Sequence, residues 1–363
     1  METLKHLPGY KGPKGPVVLL IMDGVGVGKY EEGDMVRAAT KPHLDWLKEH
    51  AVYTQLKAHG VAVGMPSDED MGNSEIGHNA IGCGRVFDQG ASLVNKAIES
   101  RSLFEGATWK MLIENCRTHS SALHFIGLFS DGNVHSHINH LEAMLREAKA
   151  QGVKKARVHI LLDGRDVPPT SALVYVDRLE AFLKDLNAGG VDFAIASGGG
   201  RMKITMDRYE ANWDMVKKGW DIHVKGQGPT FESARKAIEQ YRTENPAVID
   251  QDLPPFVIVR DGKPVGPIVE NDSVVYFNFR GDRAIEISRA FEEETFMPFE
   301  RGPKLKVQFA GMMQYDGDAK IPKNFLVSPP GIDRTVGEYL AASGVRQMAI
   351  SETQKFGHVT YFF

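Results

Sequence analysis

Between residues 106 and 199 the chain alternates helical and strand-forming stretches almost without interruption, and this alternation limits the fold more than anything else in the sequence. A helical stretch leads into an expected strand at 122–129. A helix at 138–151, a strand at 157–162, a helix at 172–187 and a strand at 191–196 follow. Strands separated by helices pair in parallel, so the expected class is α/β. The polar segments SDGNVHSH, DGRDVPPTS and SGGGR each follow one of these strands, which brings all three to the carboxyl edge of one sheet. Open α/β sheets hold ligands at that edge.

The remainder extends the same pattern. Residues 16–22 (PVVLLIM) form a continuous apolar run ahead of Asp23 and Gly24, as expected of a buried parallel strand ending in a polar loop. A helix is expected from Pro42. RDGKP at 260–264 has the Asp-Gly of a hairpin, and 273–279 reads as a strand entering NFRGDR and a helix. After 331, a helix and then a strand at 347–351 (QMAIS) lead into SETQK. A length of 363 residues favours two domains.

With 43 Lys and Arg against 47 Asp and Glu, the net charge is -4. No broad basic surface follows, so nucleic acid is not an expected partner, and any bound anion must be met by local arginines. Two cysteines, Cys83 and Cys116, offer no disulfide framework and fit a reducing cytoplasm. No apolar run has the length of a leader or a membrane span. The chain stops on the apolar HVTYFF, unlike the polar ends chains usually have, so it is expected to continue beyond 363.

Several residues carry candidate chemistry. Asp23 offers a hard oxygen to a divalent cation, although DGVGVG also reads as a glycine-rich turn. Ser74, in GNSEIGH ahead of a helix, is either an ordinary N-cap or a nucleophile favoured by the helix N-terminus. His135, His137 and His140 lack the spacing of a zinc site, so anion recognition and helix capping stand equal. Arg165 beside Asp166 pairs an oxyanion grip with a proton carrier, or forms a local ion pair. Arg201, Arg208, Arg280 and Arg283 fall near expected strand ends, and Lys355 adds a further cation. Five arginines in loops that can converge favour an anionic ligand.

The ordered set LIMDGVG, GNSEIGHNAIGCGR, SDGNVHSH, LDGRDVPP, GGGRMKITMDRY, NFRGDRA and SETQKFGHVTYFF resembles cofactor-independent phosphoglycerate mutase, in the alkaline-phosphatase-like superfamily. The matches span nearly the whole chain in the family's order. The resemblance implies two α/β domains with mainly parallel sheets: a discontinuous metal domain (1–88 plus 328–363) and an inserted substrate domain (89–327). It implies interconversion of 3-phosphoglycerate and 2-phosphoglycerate in glycolysis and gluconeogenesis, through a phosphoserine on Ser74 and without 2,3-bisphosphoglycerate. Asp23 and Ser74 match metal ligands; His135, Arg165, Asp166, Arg201, Arg208, Arg280, Arg283 and Lys355 match substrate-binding positions. By the same resemblance Ser74, Asp166 and Lys355 are catalytic. Two divalent ions are implied, Mn²⁺ with Mg²⁺ or Co²⁺ as substitutes, with further ligands beyond residue 363. A cytoplasmic monomer is expected. The alternatives are another metal-dependent phosphomutase or phosphatase of the superfamily, or an inactive phosphoglycerate-binding fragment.

Overall fold

The computed structural model describes residues 3–28, 30–65, 67–69, 71–88, 90–329 and 331–360. The last three residues of the HVTYFF ending, and two of the residues ahead of GNSEIGH, lie outside that set. The chain divides into two units, one made of 1–88 with 331–363 and the other of 89–330.

In chain order the first unit supplies α1 (Met35–Ala38), α2 (Pro42–His50) and α3 (Ser74–Cys83). The second unit then contributes α4 (Gly90–Glu99), α5 (Ser102–Glu105), α6 (Ala107–His119), β1 (Leu123–Phe129), α7 (Ile138–Ala150), β2 (Lys155–Leu162), α8 (Ala172–Asn187) and β3 (Asp192–Gly200). It continues with α9 (Trp213–His223), β4 (Thr230–Phe231), α10 (Ala234–Glu244), β5 (Phe256–Arg260), β6 (Lys263–Pro264), β7 (Ser273–Tyr276), α11 (Ile285–Glu292) and β8 (Gln308–Gly311). The chain returns to the first unit for α12 (Val336–Ala342) and α13 (Phe356–Thr360).

The second unit is a mixed α/β domain on a mainly parallel sheet, ordered β4-β5-β3-β2-β1-β7-β8, with β6 paired to β5. Strands β3, β2, β1, β7 and β8 run parallel, and β5 runs against β3. Both sheet faces are covered, which is why β1 is buried at every residue and reads as a continuous apolar run. Side chains still alternate between faces. Leu123, Phe125 and Phe129 join one apolar cluster with α6, α7, α8 and α10, whereas Ile126 and Leu128 join another with α9 and α11. The expected hairpin at 260–264 is present: Asp261 and Gly262 both have positive φ, the geometry of a tight turn matched to strand twist.

Three expectations need correction. Strand β3 runs on to Gly200, so SGGG belongs to the sheet and not to a loop. It needs glycine because a Cβ on Gly198 would lie 2.6 Å from Ile160 and Phe256 side-chain atoms, and one on Gly200 would overlap the Gln251 carbonyl. Residues 16–22 are not a buried strand: they make no ladder, and Val18 and Leu20 are about four-fifths exposed. Residues 347–351 form no strand either. Among the described residues the first unit contains no strand at all. A β-prone run becomes a strand only against a partner that takes its N–H and C=O groups, and neither run meets one there.

Candidate active site

In the second unit the strand order grows outward from β1 in two directions, to β2 on one side and β7 on the other. The carboxyl ends of β1 and β7 flank that switch point, the place where open α/β sheets bind ligands. The loop after β1 carries His135, and the loop after β7 carries Arg280, Asp282 and Arg283. The two loops are stitched together by the His135 carbonyl, which accepts from Phe279 N at 2.7 Å and from Arg280 N at 3.4 Å.

Asp163, the residue after β2, organises the neighbouring loops. It is buried, and its carboxylate accepts from Ser130 Oγ (2.6 Å), Arg165 N (3.2 Å), Asp166 N (3.0 Å) and Arg201 Nη1 (2.9 Å). Arg201 also bonds Asp166 Oδ2. Asp282 plays a similar part on the other side: its carboxylate lies 3.0 Å from Arg280 Nε, 3.6 Å from His135 Nδ1 and 4.0 Å from Arg208 Nη1. Neither aspartate was singled out in the sequence. Asp163 had a visible signal, as the first polar residue after a buried strand; Asp282 had none beyond its place in NFRGDR.

The structure brings His135, Asp166, Arg201, Arg280 and Arg283 together, with Arg208 and Arg165 more exposed around them. Electrostatics reports the same convergence. Burial pushes the His135 imidazole well below its usual range, and Arg201, Arg280, Arg283 and Arg165 all press it the same way. Burial and the carboxylate of Asp163 push Asp166 up, against the pull of Arg201 and Arg165. A carboxyl so placed can hold or release a proton closer to neutral pH than an ordinary one. Two buried polar atoms here, His135 Nδ1 and Arg201 Nε, have no hydrogen-bond partner among the described residues, and Arg280 Nε faces Asp282 Oδ1 at 3.0 Å as an ion pair without hydrogen-bond geometry. Buried polar atoms are normally satisfied, so this group is built for something that completes it. The arginine donors fit a phosphate or carboxylate.

The histidine cluster separates. His137 is the N-cap of α7, accepting from Asn139 N at 3.1 Å, and His140 Nε2 donates to Asn95 Oδ1 at 2.7 Å. Only His135 joins the arginines.

The first unit holds a second constellation. Asn73 is the N-cap of α3, its Oδ1 accepting from Ile76 N at 3.1 Å, so Ser74 is the first helical residue and is not spent as a cap. Its hydroxyl donates to Asp23 Oδ2, while Lys355 Nζ donates to Ser74 Oγ at 2.7 Å and also pairs with Asp23. Burial raises the Asp23 carboxyl, but the bonds from Lys355 and Ser74 outweigh it and hold the group below its ordinary value. A helix N-terminus and an ammonium beside one hydroxyl favour an oxyanion or a bound phosphate at that point. As a metal site the set falls short. Asp23 and Ser74 are two oxygen donors where a hard divalent cation takes about six. Among the described residues no group of three His, Cys, Asp or Glu gathers.

Comparison with known proteins adds an independent line. Residues 94–317 match the family model described as the BPG-independent PGAM N-terminus. A protein of Leptospira interrogans, named a probable 2,3-bisphosphoglycerate-independent phosphoglycerate mutase, is 57% identical over 349 residues, covering 96% of this chain and 64% of its own length. The 2,3-bisphosphoglycerate-independent phosphoglycerate mutase of Trypanosoma brucei brucei is 52% identical over 353 residues, covering 97% and 64%. A solved structure of Leishmania mexicana phosphoglycerate mutase, determined at low cobalt concentration, superposes with a TM-score of 0.89 at 50% identity, covering 94% of this chain and 63% of that one. The chain thus spans a little under two thirds of the length of the proteins it matches.

Proposed function

The chain belongs to the BPG-independent phosphoglycerate mutase family, and from that premise we propose that it serves the interconversion of 3-phosphoglycerate and 2-phosphoglycerate, with Ser74 as the transient phosphate carrier. The observation that carries the proposal is the cluster of His135, Arg201, Arg280 and Arg283 at the β1–β7 switch point, where His135 Nδ1 and Arg201 Nε are buried and have no hydrogen-bond partner among the described residues. A phosphorylated hydroxy acid presents a phosphate and a carboxylate, two anions for one arginine cluster to hold.

Each residue's role follows from its surroundings. Ser74 gives its hydroxyl proton to Asp23, to which it already donates, as its Oγ attacks phosphorus. The bond from phosphorus to the glycerate oxygen breaks, Lys355 offsets charge on the transferring oxygens, and the proton returns to Ser74 Oγ when the phosphate leaves it. Asp166 gives a proton to the departing glycerate oxygen and takes one from the other hydroxyl before that oxygen attacks the phosphoserine. Its raised protonation tendency supports this work. Arg165, Arg201, Arg208, Arg280 and Arg283 hold the acid while its hydroxyls exchange places. Metal dependence, with Mn²⁺ in the expected role, is part of the reading; among the described residues Asp23 and Ser74 would supply only part of the metal's oxygen donors. The two free cysteines support a cytoplasmic setting, where the protein would act as a monomer.

The test is a coupled enolase assay on the protein carrying these residues, without added bisphosphoglycerate and with or without a chelator. Wild type is expected to form 2-phosphoglycerate, chelator to stop it, and Ser74→Ala to abolish it. Full activity in Ser74→Ala would sink the phosphoserine route.

A further inference from the structure

The second unit holds another set of buried titratable groups, which the proposed reaction leaves unused. Asp272, His124, His159, Ser197, His223 and Thr205 are all buried, and each touches the next. Asp272 Oδ2 lies 3.0 Å from His124 Nε2, and His124 Nδ1 lies 3.0 Å from His159 Nε2. His159 Nδ1 is 2.7 Å from Ser197 Oγ, which is 2.7 Å from His223 Nδ1; His223 Nε2 is 3.0 Å from Thr205 Oγ1. The file crosses β1, β2 and β3 to α9, then enters the loop that carries Arg201 and Arg208.

Proton counting gives it a direction. A carboxylate only accepts, and a neutral imidazole has one N–H and one lone pair. His124 therefore donates to Asp272 through Nε2 and accepts at Nδ1 from His159 Nε2. His159 Nδ1 accepts from the Ser197 hydroxyl, whose oxygen accepts from His223 Nδ1, and His223 Nε2 accepts from Thr205. One proton arrangement thus satisfies all five contacts with three neutral rings. An imidazolium at His124 would reverse every bond beyond it. Burial works against that charge by pushing all three rings below the usual histidine range, and the Arg157 guanidinium adds to the effect at His124 and His159. Asp272 is itself anchored by Ala122 N at 2.8 Å and Val269 N at 2.9 Å.

At the far end Thr205 has φ +64°, a left-handed conformation that a β-branched residue rarely takes. Its N–H donates to Met215 O at 2.9 Å, and α9 approaches so closely that a Cβ on Gly219 would overlap the Thr205 hydroxyl. Through this turn the next residue, Met206, presents its carbonyl to Arg283 Nη1 at 2.6 Å.

We propose that Asp272, His124, His159, Ser197 and His223 form a one-directional hydrogen-bond relay that positions Thr205 and, through the Met206 carbonyl, the Arg283 guanidinium for anion binding. Thr205 is a positioning residue. The final link rests on the anion-binding reading above; the relay does not.

Long-range ¹⁵N–¹H correlation spectra of the histidine-labelled chain near neutral pH read the tautomers. Expected are Nε2–H at His124 and His159 and Nδ1–H at His223. An imidazolium at His124, or the opposite tautomer at His159 or His223, overturns the relay. Calorimetric titration with 3-phosphoglycerate tests the final link: Thr205→Val, isosteric but without the hydroxyl, is expected to bind about fivefold more weakly, and Thr205→Ser within about twofold of wild type. Equal affinity of Thr205→Val and wild type overturns it. Should wild type bind no 3-phosphoglycerate, the functional reading fails, and the relay is judged on its tautomers and on amide exchange at 204–206. That exchange is expected to rise about tenfold in Thr205→Val and to stay unchanged in Thr205→Ser; no rise in Thr205→Val contradicts the relay.

Discussion

Replacing Asp163 by alanine perturbs the candidate site at its most connected point. The residue is 2% exposed, and its side chain accepts from the Ser130 hydroxyl, two backbone N–H groups and the Arg201 guanidinium. Alanine leaves four donors without their acceptor. A buried donor left unsatisfied costs about 1–3 kcal/mol, and breaking a buried ion pair about 3–5 kcal/mol. These do not add, because the donors share one acceptor and sit side by side. Arg201 keeps Asp166, and the Ser130 hydroxyl can rotate elsewhere. The expected loss is therefore about 3–5 kcal/mol, close to the ion-pair figure alone. Equilibrium urea unfolding followed by tryptophan fluorescence measures it, since Trp109, Trp213 and Trp220 all lie in this unit. Asp163→Asn, which keeps one acceptor, should fall between. A loss below about 0.5 kcal/mol, the range of ordinary surface substitutions, together with unchanged 3-phosphoglycerate binding, would refute the view of Asp163 as organiser.

Three further outcomes are expected. Burial, with Asp207 and Glu210 nearby, raises Glu286 from its ordinary 4.5 to about 7. The folded chain thus keeps this proton where the unfolded chain has lost it, so stability falls as pH rises from 4.5 to about 7 and stays lower above. Glu286→Gln should gain about 3 kcal/mol at about pH 8 and nothing near the acid end of that window, read as thermal midpoints; an equal effect at both ends contradicts the assignment. Gly200→Ala places a methyl against the Gln251 backbone and should cost at least about 1–3 kcal/mol in urea unfolding, while a neutral variant would show that β3 has room there. Lys355→Met removes the ammonium beside Ser74 and is expected to slow Ser74 phosphorylation about a hundredfold in rapid-quench experiments; an unchanged rate would deny Lys355 its role.

The parallel sheet was legible because strands covered on both faces are apolar throughout, and the helices between them carry a different period. The end of β3 was not. Ser197–Gly200 has the composition of a loop, and only the close approach of Ile160, Phe256 and Gln251 explains why a strand there needs glycine. Residues 16–22 misled in the opposite sense: composition records a willingness to pair and is silent about whether a partner stands alongside. Of the site, the arginines and His135 were readable as residue types at strand ends. Their convergence depends on Asp163 and Asp282, whose importance comes from contacts across three loops. The relay had a faint signature, since His124 and His159 fall within mainly apolar strands, yet nothing local linked them to Ser197, His223 or Asp272.

The reaction proposed for this chain turns on a phosphate held by Ser74. Rapid-quench incubation with 3-phosphoglycerate labelled in the phosphate, followed by peptide mapping, tests it most directly. The account predicts label on the peptide containing Ser74, formed without added bisphosphoglycerate and absent from Ser74→Ala. Formation of 2-phosphoglycerate with no label on Ser74, or unchanged formation in Ser74→Ala, would contradict it.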